Sequence, residues 1–176
     1  ISFKWVERFL YKNSDSIVTV LPKSFSHIVQ NGGKQEKIIW IPNGVDLDER
    51  PVLPEKDEGK PFTLMYFGAH GPYNGLENFI EAAGQLRGQG WEPEQIRLVL
   101  LGEGPLKEML IDLAKEKGVD ELVEFRPAVA KSELWNAIQD ADGFLMIVRP
   151  MPSFEKGMSP NKLWDYFAAG RPVLFS

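Results

Sequence analysis

Cysteine is absent from this chain of 176 residues, and histidine occurs only twice. The first absence excludes disulfide bonds, thiolate metal sites and a cysteine nucleophile. The two histidines, His27 and His70, are too few and too far apart in sequence to indicate a metal cluster. We therefore expect no metal site, and we look for chemistry in other side chains and in the backbone.

A surplus of positive charge and a long apolar run are also missing. The formal net charge is −5, so there is no overall basic field to attract a nucleic acid. Any anionic ligand must be held by local donors, and we expect no nucleic-acid partner. No apolar run approaches the roughly 20 residues that a membrane-spanning helix needs. With 43% hydrophobic and 26% charged residues, the composition is typical of a globular domain.

A stretch rich in charge, proline and glycine over 48–61 has the composition of a linker. We place a domain boundary there and assign 1–47 to the end of an N-terminal domain and the strand that leads out of it. The chain lacks an initiator methionine and stops where a last strand begins, so we expect it to be part of a longer protein. The elements predicted before the linker are helices over 2–12 and 24–30 and strands over 16–20 and 37–41.

Strands and helices alternate regularly after the linker, over 62–176. Because the strands are apolar on both faces, this pattern predicts an α/β domain with a Rossmann-like, doubly wound parallel sheet. Ligands bind such sheets outside the carboxyl ends of the strands, where the glycine-rich loops fall. His70, in the first of these loops, is then either exposed to water or in contact with a ligand. The predicted strands are 62–67, 96–101, 122–125 and 143–148, and the helices are 76–87, 106–117 and a third that Ser132 caps.

A helix start late in the chain has the features of an anion site. Ser159 is a favourable N-cap, and Pro160 suits the first helical position because its missing N–H costs nothing there. The backbone N–H groups of Asn161 and Lys162 then point out of the positive end of the helix. Asp165 follows one turn later on the same side. The pattern indicates a site for a phosphate and a hydroxylated sugar; the alternative is an ordinary capped helix that binds nothing.

Four short motifs carry a resemblance to a known family. They are Ile-Pro-Asn-Gly-Val-Asp at 41–46, Leu-Gly-Glu-Gly-Pro at 101–105, Ser-Pro-Asn-Lys-Leu at 159–163 and Ala-Ala-Gly-Arg-Pro-Val at 168–173. Together they resemble the C-terminal, donor-binding half of the GT-B fold, retaining glycosyltransferases of family 4. The third motif, with the loop over 68–75, is most similar to a bacterial subgroup that builds surface polysaccharide and O-antigen.

The resemblance implies retaining transfer of a sugar from a nucleotide-diphosphate donor, with a UDP-sugar favoured, and no metal or cofactor. The acceptor, a polysaccharide or a lipid-linked glycan, would bind mainly to an N-terminal domain outside this chain. We therefore expect the chain alone to bind nucleotide weakly and to be inactive. The resemblance also implies a cytoplasmic protein and leaves open a peripheral association at the inner face of the cell membrane. Two other functions stay open, a nucleotide-sugar epimerase or hydrolase of GT-B architecture and a degenerate, non-catalytic binding domain.

The family signature has two acids separated by seven residues. The second matches Asp165, to which the resemblance gives the ribose hydroxyls of the nucleotide. The first would fall at Gly157, and the nearest carboxylate is Glu155. Glu155 is a candidate catalytic residue if the loop is built differently; the alternative is a solvated side chain beside Lys156.

The first glycine-rich loop departs from the family pattern, which has an arginine after the first glycine and a lysine before the last. This chain has Ala69 and Asn74 there, although the glycines remain. Lys162 is therefore the preferred cation for the diphosphate, with Arg126 and Arg149 as second choices. The nucleotide-sugar-binding residues predicted in this way are Gly68, Gly71, Asn74, Gly75, Arg126, Met158, Ser159, Asn161, Lys162 and Asp165.

Overall fold

The computed structural model describes the chain except for residues 1–2, 49–51, 56, 152–153 and 155. The chain divides into two compact units, of which the first holds 1–45 and 150–164 and the second holds 46–149 and 165–176. Each unit has its own parallel sheet and its own apolar core. The first unit therefore combines the N-terminal segment with 150–164, and the domain boundaries placed at 47 and 61 stay predictions.

The first unit is built on two parallel strands, β1 (Ile17–Thr19) and β2 (Ile38–Trp40). Helix α1 (Lys4–Asn13) precedes β1, and helix α2 (Phe25–Gln30) connects the strands. The predicted order of helix, strand, helix and strand is confirmed, with ends that differ by two residues at most. The small core consists of Ile17, Ile28 and Ile38, with Tyr11 and Phe25 packed against it.

The second unit is built on a parallel sheet of five strands in the order β5-β4-β3-β6-β7. This confirms the predicted α/β class with a Rossmann-like parallel sheet. The strands are β3 (Phe62–Phe67), β4 (Ile96–Leu101), β5 (Val123–Arg126), β6 (Gly143–Met146) and β7 (Val173–Phe175). The helices are α3 (Leu76–Gly88), α4 (Lys107–Glu116), α5 (Leu134–Ala137) and the larger part of α6 (Asn161–Ala169).

Side chains of the central strand alternate between two buried faces of the sheet, as the strand period of two requires. Leu64 and Tyr66 belong to the larger core cluster, together with residues of α3 and α4. On the other face, the ring of Tyr166 in α6 stacks on Phe144, with centroids 4.6 Å apart. Its hydroxyl donates a hydrogen bond to the carbonyl of Leu145 at 3.1 Å. The second half of α6 is therefore fixed on the sheet both by apolar packing and by a buried hydrogen bond.

The predicted starts of α5 and α6 both differ from the structure. Ser132 lies inside a 3₁₀ turn, Lys131–Glu133, so the prediction that it caps a helix is wrong. Helix α5 after that turn has only four residues. Helix α6 begins at Asn161 and not at Pro160, a difference of one residue that is within the usual variation of helix ends. In the part of the chain that the structure describes, no helix is both long and apolar enough to span a membrane.

Candidate functional site

The sheet of the second unit has a topological switch point between β3 and β6. The chain runs from β3 outward to β4 and β5 on one side and continues with β6 and β7 on the other. Ligands of open α/β sheets bind outside the carboxyl ends of the strands at such a point. The loop over 68–75 and the segment after β6 meet there, since the N–H of Arg149 donates to the carbonyl of Tyr73 at 3.2 Å. A ligand is therefore expected next to these two segments.

The loop over 68–75 is held in shape by its own polar groups. The Tyr66 hydroxyl and the Asn74 side-chain amide both donate to the carbonyl oxygen of Ala69 at 2.8 Å. Gly75 precedes α3 with φ 57°, a left-handed conformation that glycine adopts without strain. The loop is therefore preorganised, and the Asn74 side chain supports it from within. Contact with a nucleotide stays a prediction for Gly68, Gly71, Asn74 and Gly75.

The loop after β4 packs directly against the loop after β3. The N–H of His70 donates to the carbonyl of Glu103 at 2.8 Å, and the carbonyl of His70 accepts the N–H of Leu106 at 3.1 Å. Glycine is required at position 102 because a Cβ on Gly102 would overlap the carbonyl group of Gly68. Close backbone contact therefore ties the loop after β3 to the loop after β4.

His70 is completely buried beneath these loops. Its ring lies between Tyr66 and Phe125, with centroid distances of 6.3 and 6.4 Å. Within the described residues, neither ring nitrogen has a hydrogen-bond partner. Burial lowers the pKa of His70, and the positive charge of Lys107 lowers it further. The interpretation of His70 as a water-exposed loop residue is therefore wrong; contact with a substrate stays a prediction.

Buried His70 should make the stability of the second unit depend on pH. The unfolded chain takes up a proton near pH 6.5, about the usual histidine value, whereas the folded unit resists protonation. The contribution of His70 to stability is thus complete above about pH 6.5 and is lost as the pH falls towards the lower folded-state pKa. We expect the free energy of unfolding, measured with urea at pH 7.5, 6.5 and 5.5, to decrease as the pH decreases. His70→Leu should make the free energy of unfolding less dependent on pH. A slope as steep in His70→Leu as in the wild type would contradict this role of His70.

Asp165, the predicted ribose ligand, is a buried carboxylate on α6 with only 8% of the residue exposed. The Nζ atom of Lys131 lies 2.5 Å from its Oδ1 atom. Lys131 follows β5 and is 34 positions away in sequence, so no local pattern indicated this pair. Sequence reasoning therefore missed the side chain that contacts the predicted ribose ligand.

Arg126 was a second choice for the diphosphate, but its guanidinium is fully engaged in the fold. Its five N–H groups donate to the carboxylates of Glu124 and Asp140 and to the carbonyl of Ala137. The two carboxylates raise the pKa of Arg126 above its already high value. A cavity of about 350 Å³ lies beside it, lined in part by Pro127. Any nucleotide contact at Arg126 would therefore use its main chain, and that contact stays a prediction.

Arg149, the other second choice, forms an ion pair with Glu77 in the first turn of α3. The Arg149 side chain is about half exposed, at 51%. The other carboxylate oxygen of Glu77 is buried and has no hydrogen-bond partner among the described residues. Both groups lie at the switch point, where the acid moderates the positive charge that Arg149 could offer to a phosphate.

The first unit contains the start of α6 and the segment before it. The N–H of Asn43 donates to the Ser159 hydroxyl oxygen at 3.3 Å, and the Asn43 side-chain amide donates to the Ser159 carbonyl. Burial lowers the pKa of Lys162, in the first turn of α6, to about 8. A desolvated ammonium at a helix N-terminus is the kind of perturbed group that often marks a functional site. The predicted roles of Met158, Ser159, Asn161 and Lys162 in binding stay predictions.

The position of the first family acid is occupied by a glycine for a structural reason. Gly157 has φ 98°, and a Cβ there would lie 3.0 Å from Cδ of Pro22 in the same unit. A side chain at 157 would therefore be strained whatever its chemistry. Glu155, the candidate catalytic residue, lies outside the residues that the structure describes.

Comparison with known proteins agrees with this architecture. The chain is 26% identical over 176 residues to an Escherichia coli (strain K12) protein described as colanic acid biosynthesis glycosyl transferase WcaI, covering 93% of this chain and 41% of that protein. The chain thus spans about two fifths of this curated relative.

Solved structures are similar as well. For the lipopolysaccharide outer core galactosyltransferase WaaB in its apo form, the TM-score is 0.65 at 16% identity, covering 92% of this chain and 43% of that one. For Anabaena Alr3699/HepE in complex with UDP-glucose, the TM-score is 0.72 at 16% identity, and the match covers 98% of this chain and 48% of that one. These likenesses confirm the predicted fold, the Rossmann-like half of a GT-B architecture. Residues 61–176 match the family described as glycosyl transferases group 1, and the chain belongs to this family.

Proposed function

We propose that this chain is the donor-binding part of a retaining glycosyltransferase that takes a UDP-sugar and transfers the sugar to a polysaccharide or lipid-linked acceptor. The observation that carries the proposal is the buried carboxylate of Asp165 on the same helix as the desolvated Lys162, three residues earlier. Family membership supports the reaction class. The similar fold of HepE, solved in complex with UDP-glucose, supports the choice of donor.

Asp165 would bind the ribose of the donor. A carboxylate accepts two hydrogen bonds from a vicinal diol, and its charge strengthens both of them. A buried carboxylate is well suited to this because water competes little for its oxygens. Its negative charge also selects a neutral sugar over a phosphate at the same position.

Lys162 would bind the diphosphate. Residues three apart on a helix lie on the same side, with Cβ atoms roughly 5–6 Å apart, so Lys162 and Asp165 can contact neighbouring groups of one nucleotide. The positive end of the helix dipole and the ammonium both favour an anion at the first turn of α6.

The same cation would promote transfer. As the bond from the sugar to the diphosphate breaks, negative charge grows on the departing nucleotide, and a fixed ammonium stabilises that charge. At pH 7 a lysine with a pKa of about 8 is mostly protonated and can play this role. We infer that Lys162 supplies the charge that a metal ion provides in other transferases, and that Glu155 stays the candidate acid near the donor sugar.

Replacement of Lys162 by methionine tests this proposal. We expect the affinity for UDP at pH 7 to fall by about tenfold or more, because a charge-assisted hydrogen bond is lost. In the wild type, the affinity should also decrease as the pH rises from 7 to 9, since the ammonium with its pKa of about 8 is then deprotonated. The terminal phosphate is already ionised in this window. Isothermal titration calorimetry at several pH values measures both effects.

Lys115→Met serves as the control because Lys115 lies on α4 and pairs with Asp112 at 3.7 Å. It should bind UDP like the wild type. A Lys162→Met variant with unchanged affinity and pH profile would show that this residue has no contact with the phosphates.

A non-catalytic binding domain is the second candidate function, favoured by the glycine at position 157 where the family has an acid. A non-catalytic domain should bind UDP normally, but the complete protein should not transfer a sugar. A transfer assay with radiolabelled UDP-sugars and isolated cell-envelope acceptors decides between the two functions.

A further inference from the structure

The ion pair between Lys131 and Asp165 has no part in the function proposed above. Lys131 begins a 3₁₀ turn after β5, whereas Asp165 lies in the middle of α6, and both belong to the second unit. Their charged atoms are 2.5 Å apart. We propose that Lys131 is a positioning residue: it occupies Asp165 while the donor site is empty and is displaced by the nucleotide ribose. This inference rests on the proposed role of Asp165 in donor binding.

The two members of the pair differ sharply in exposure. The side chain of Lys131 is 65% exposed, whereas that of Asp165 is 11% exposed. A ligand that approaches the carboxylate from solvent therefore meets an exposed ammonium and not a buried one. Because Lys131 occupies one acceptor direction of Oδ1, a ribose diol that approaches Asp165 from the side of the ammonium must displace it.

A buried carboxylate needs a counter-charge when no ligand is present. Taking a carboxylate out of water is costly unless it is paired or hydrogen-bonded. Lys131 supplies this pairing in the ligand-free protein and keeps the Asp165 oxygens in place. An apolar residue at position 131 would leave the carboxylate buried without its counter-charge.

The ammonium of Lys131 has a second favourable environment close by. Its Nζ atom lies 5.5 Å from the ring centroid of Trp135 in α5, which is within the range of a cation–π interaction. After displacement, Lys131 can therefore keep contact with the aromatic face and with water. The lysine side of the pair is exposed to water, which weakens the pair, and two hydrogen bonds from a diol replace it at the buried carboxylate.

Competition of this kind lowers the apparent affinity for the nucleoside in proportion to the fraction of molecules in which Asp165 is not paired with Lys131. Lys131→Met should therefore raise the affinity for uridine, a neutral nucleoside, about fivefold, the factor that corresponds to the upper range for an exposed ion pair. The gain should be absent for 2′-deoxyuridine, which lacks the vicinal diol. Lys131→Arg should restore wild-type affinity because it restores the pair.

The experiment is calorimetric titration of the full chain and its variants with uridine, 2′-deoxyuridine and UDP. Lys117→Met is the matched control, since Lys117 also pairs with a carboxylate, that of Glu81 at 2.8 Å. A second readout is ionic strength: added salt screens the pair and should raise the uridine affinity of the wild type but not that of Lys131→Met.

The outcomes separate this inference from the proposed function. A rise in uridine affinity in Lys131→Met, without a rise for 2′-deoxyuridine, supports displacement. If Asp165→Ala weakens UDP binding but Lys131→Met leaves uridine affinity unchanged or lower, Lys131 is only a structural counterion and the donor site stands. If neither the wild type nor any variant binds uridine or UDP, both the displacement by ribose and the donor site are overturned.

Discussion

Replacing Gly102 by alanine should lower the free energy of unfolding of the second unit by about 3 kcal/mol or more. The methyl group would overlap the carbonyl group of Gly68, lie 3.0 Å from its carbonyl carbon and lie 3.3 Å from Nε2 of His70. Backbone cannot move aside as a flexible side chain can, so the two loops must separate. Separation breaks the hydrogen bonds from Gly68 N–H to the Leu101 carbonyl, at 3.0 Å, and from His70 N–H to the Glu103 carbonyl, at 2.8 Å.

Gly84→Ala is the matched control for this substitution. Gly84 lies within α3, and a Cβ there meets nothing within 4 Å. Because alanine is the better helix former, this variant should gain about 0.5–1 kcal/mol. Urea denaturation followed by circular dichroism, with hydrogen exchange at the β3 and β4 amides, measures both changes. Equal stability of Gly102→Ala and the wild type would contradict the close loop contact.

Asp165→Ala should lower the affinity for UDP about 30-fold or more and lower the rate of transfer by the complete protein at least as much. Two charge-assisted hydrogen bonds to the ribose are lost, each worth about 1.5–3 kcal/mol before the competing ion pair is subtracted. Calorimetry gives the affinity, and an assay with UDP-sugar gives the rate.

Stability controls are needed because Asp165 is buried. The partner left behind, Lys131, is largely exposed, so the variant should still fold. Asp165→Asn keeps the shape and one acceptor oxygen and should lose less affinity than alanine. Asp112→Ala removes an exposed carboxylate that pairs with Lys115 and should bind UDP normally. Wild-type affinity of a folded Asp165→Ala variant would exclude the residue from the donor site.

The sheet was predictable from sequence because its signals are local. Strands β3 and β4 are mostly apolar runs that end at a glycine, and their predicted limits agree with the structure. The prediction of a parallel, doubly wound sheet followed from the alternation of these runs with helical periods. The helix over 134–137 was less predictable, since one short turn has too few residues to show a period.

Contacts between loops could not be predicted in the same way. His70 stands between glycines in a loop, which suggests exposure, yet the loop after β4 covers it by contact between backbones. The engagement of Arg126 by Asp140 and the pairing of Lys131 with Asp165 join residues 14 and 34 positions apart. Such pairs depend on where the short turns place long side chains. The periodicity of apolar residues in the sequence does not predict those positions.

The charged cluster around Arg126 also affects how molecules of this protein meet each other. Strand β5 is at one edge of the sheet, and an edge strand exposes backbone groups that can pair with a strand of another molecule. Glu124 and Arg126 lie on this four-residue strand, and Arg97 on the neighbouring β4 comes within 3.8 Å of Glu124. Any second strand that docked there would have to desolvate these charges. The cluster that keeps Arg126 from a phosphate therefore also protects the sheet from growing by self-association.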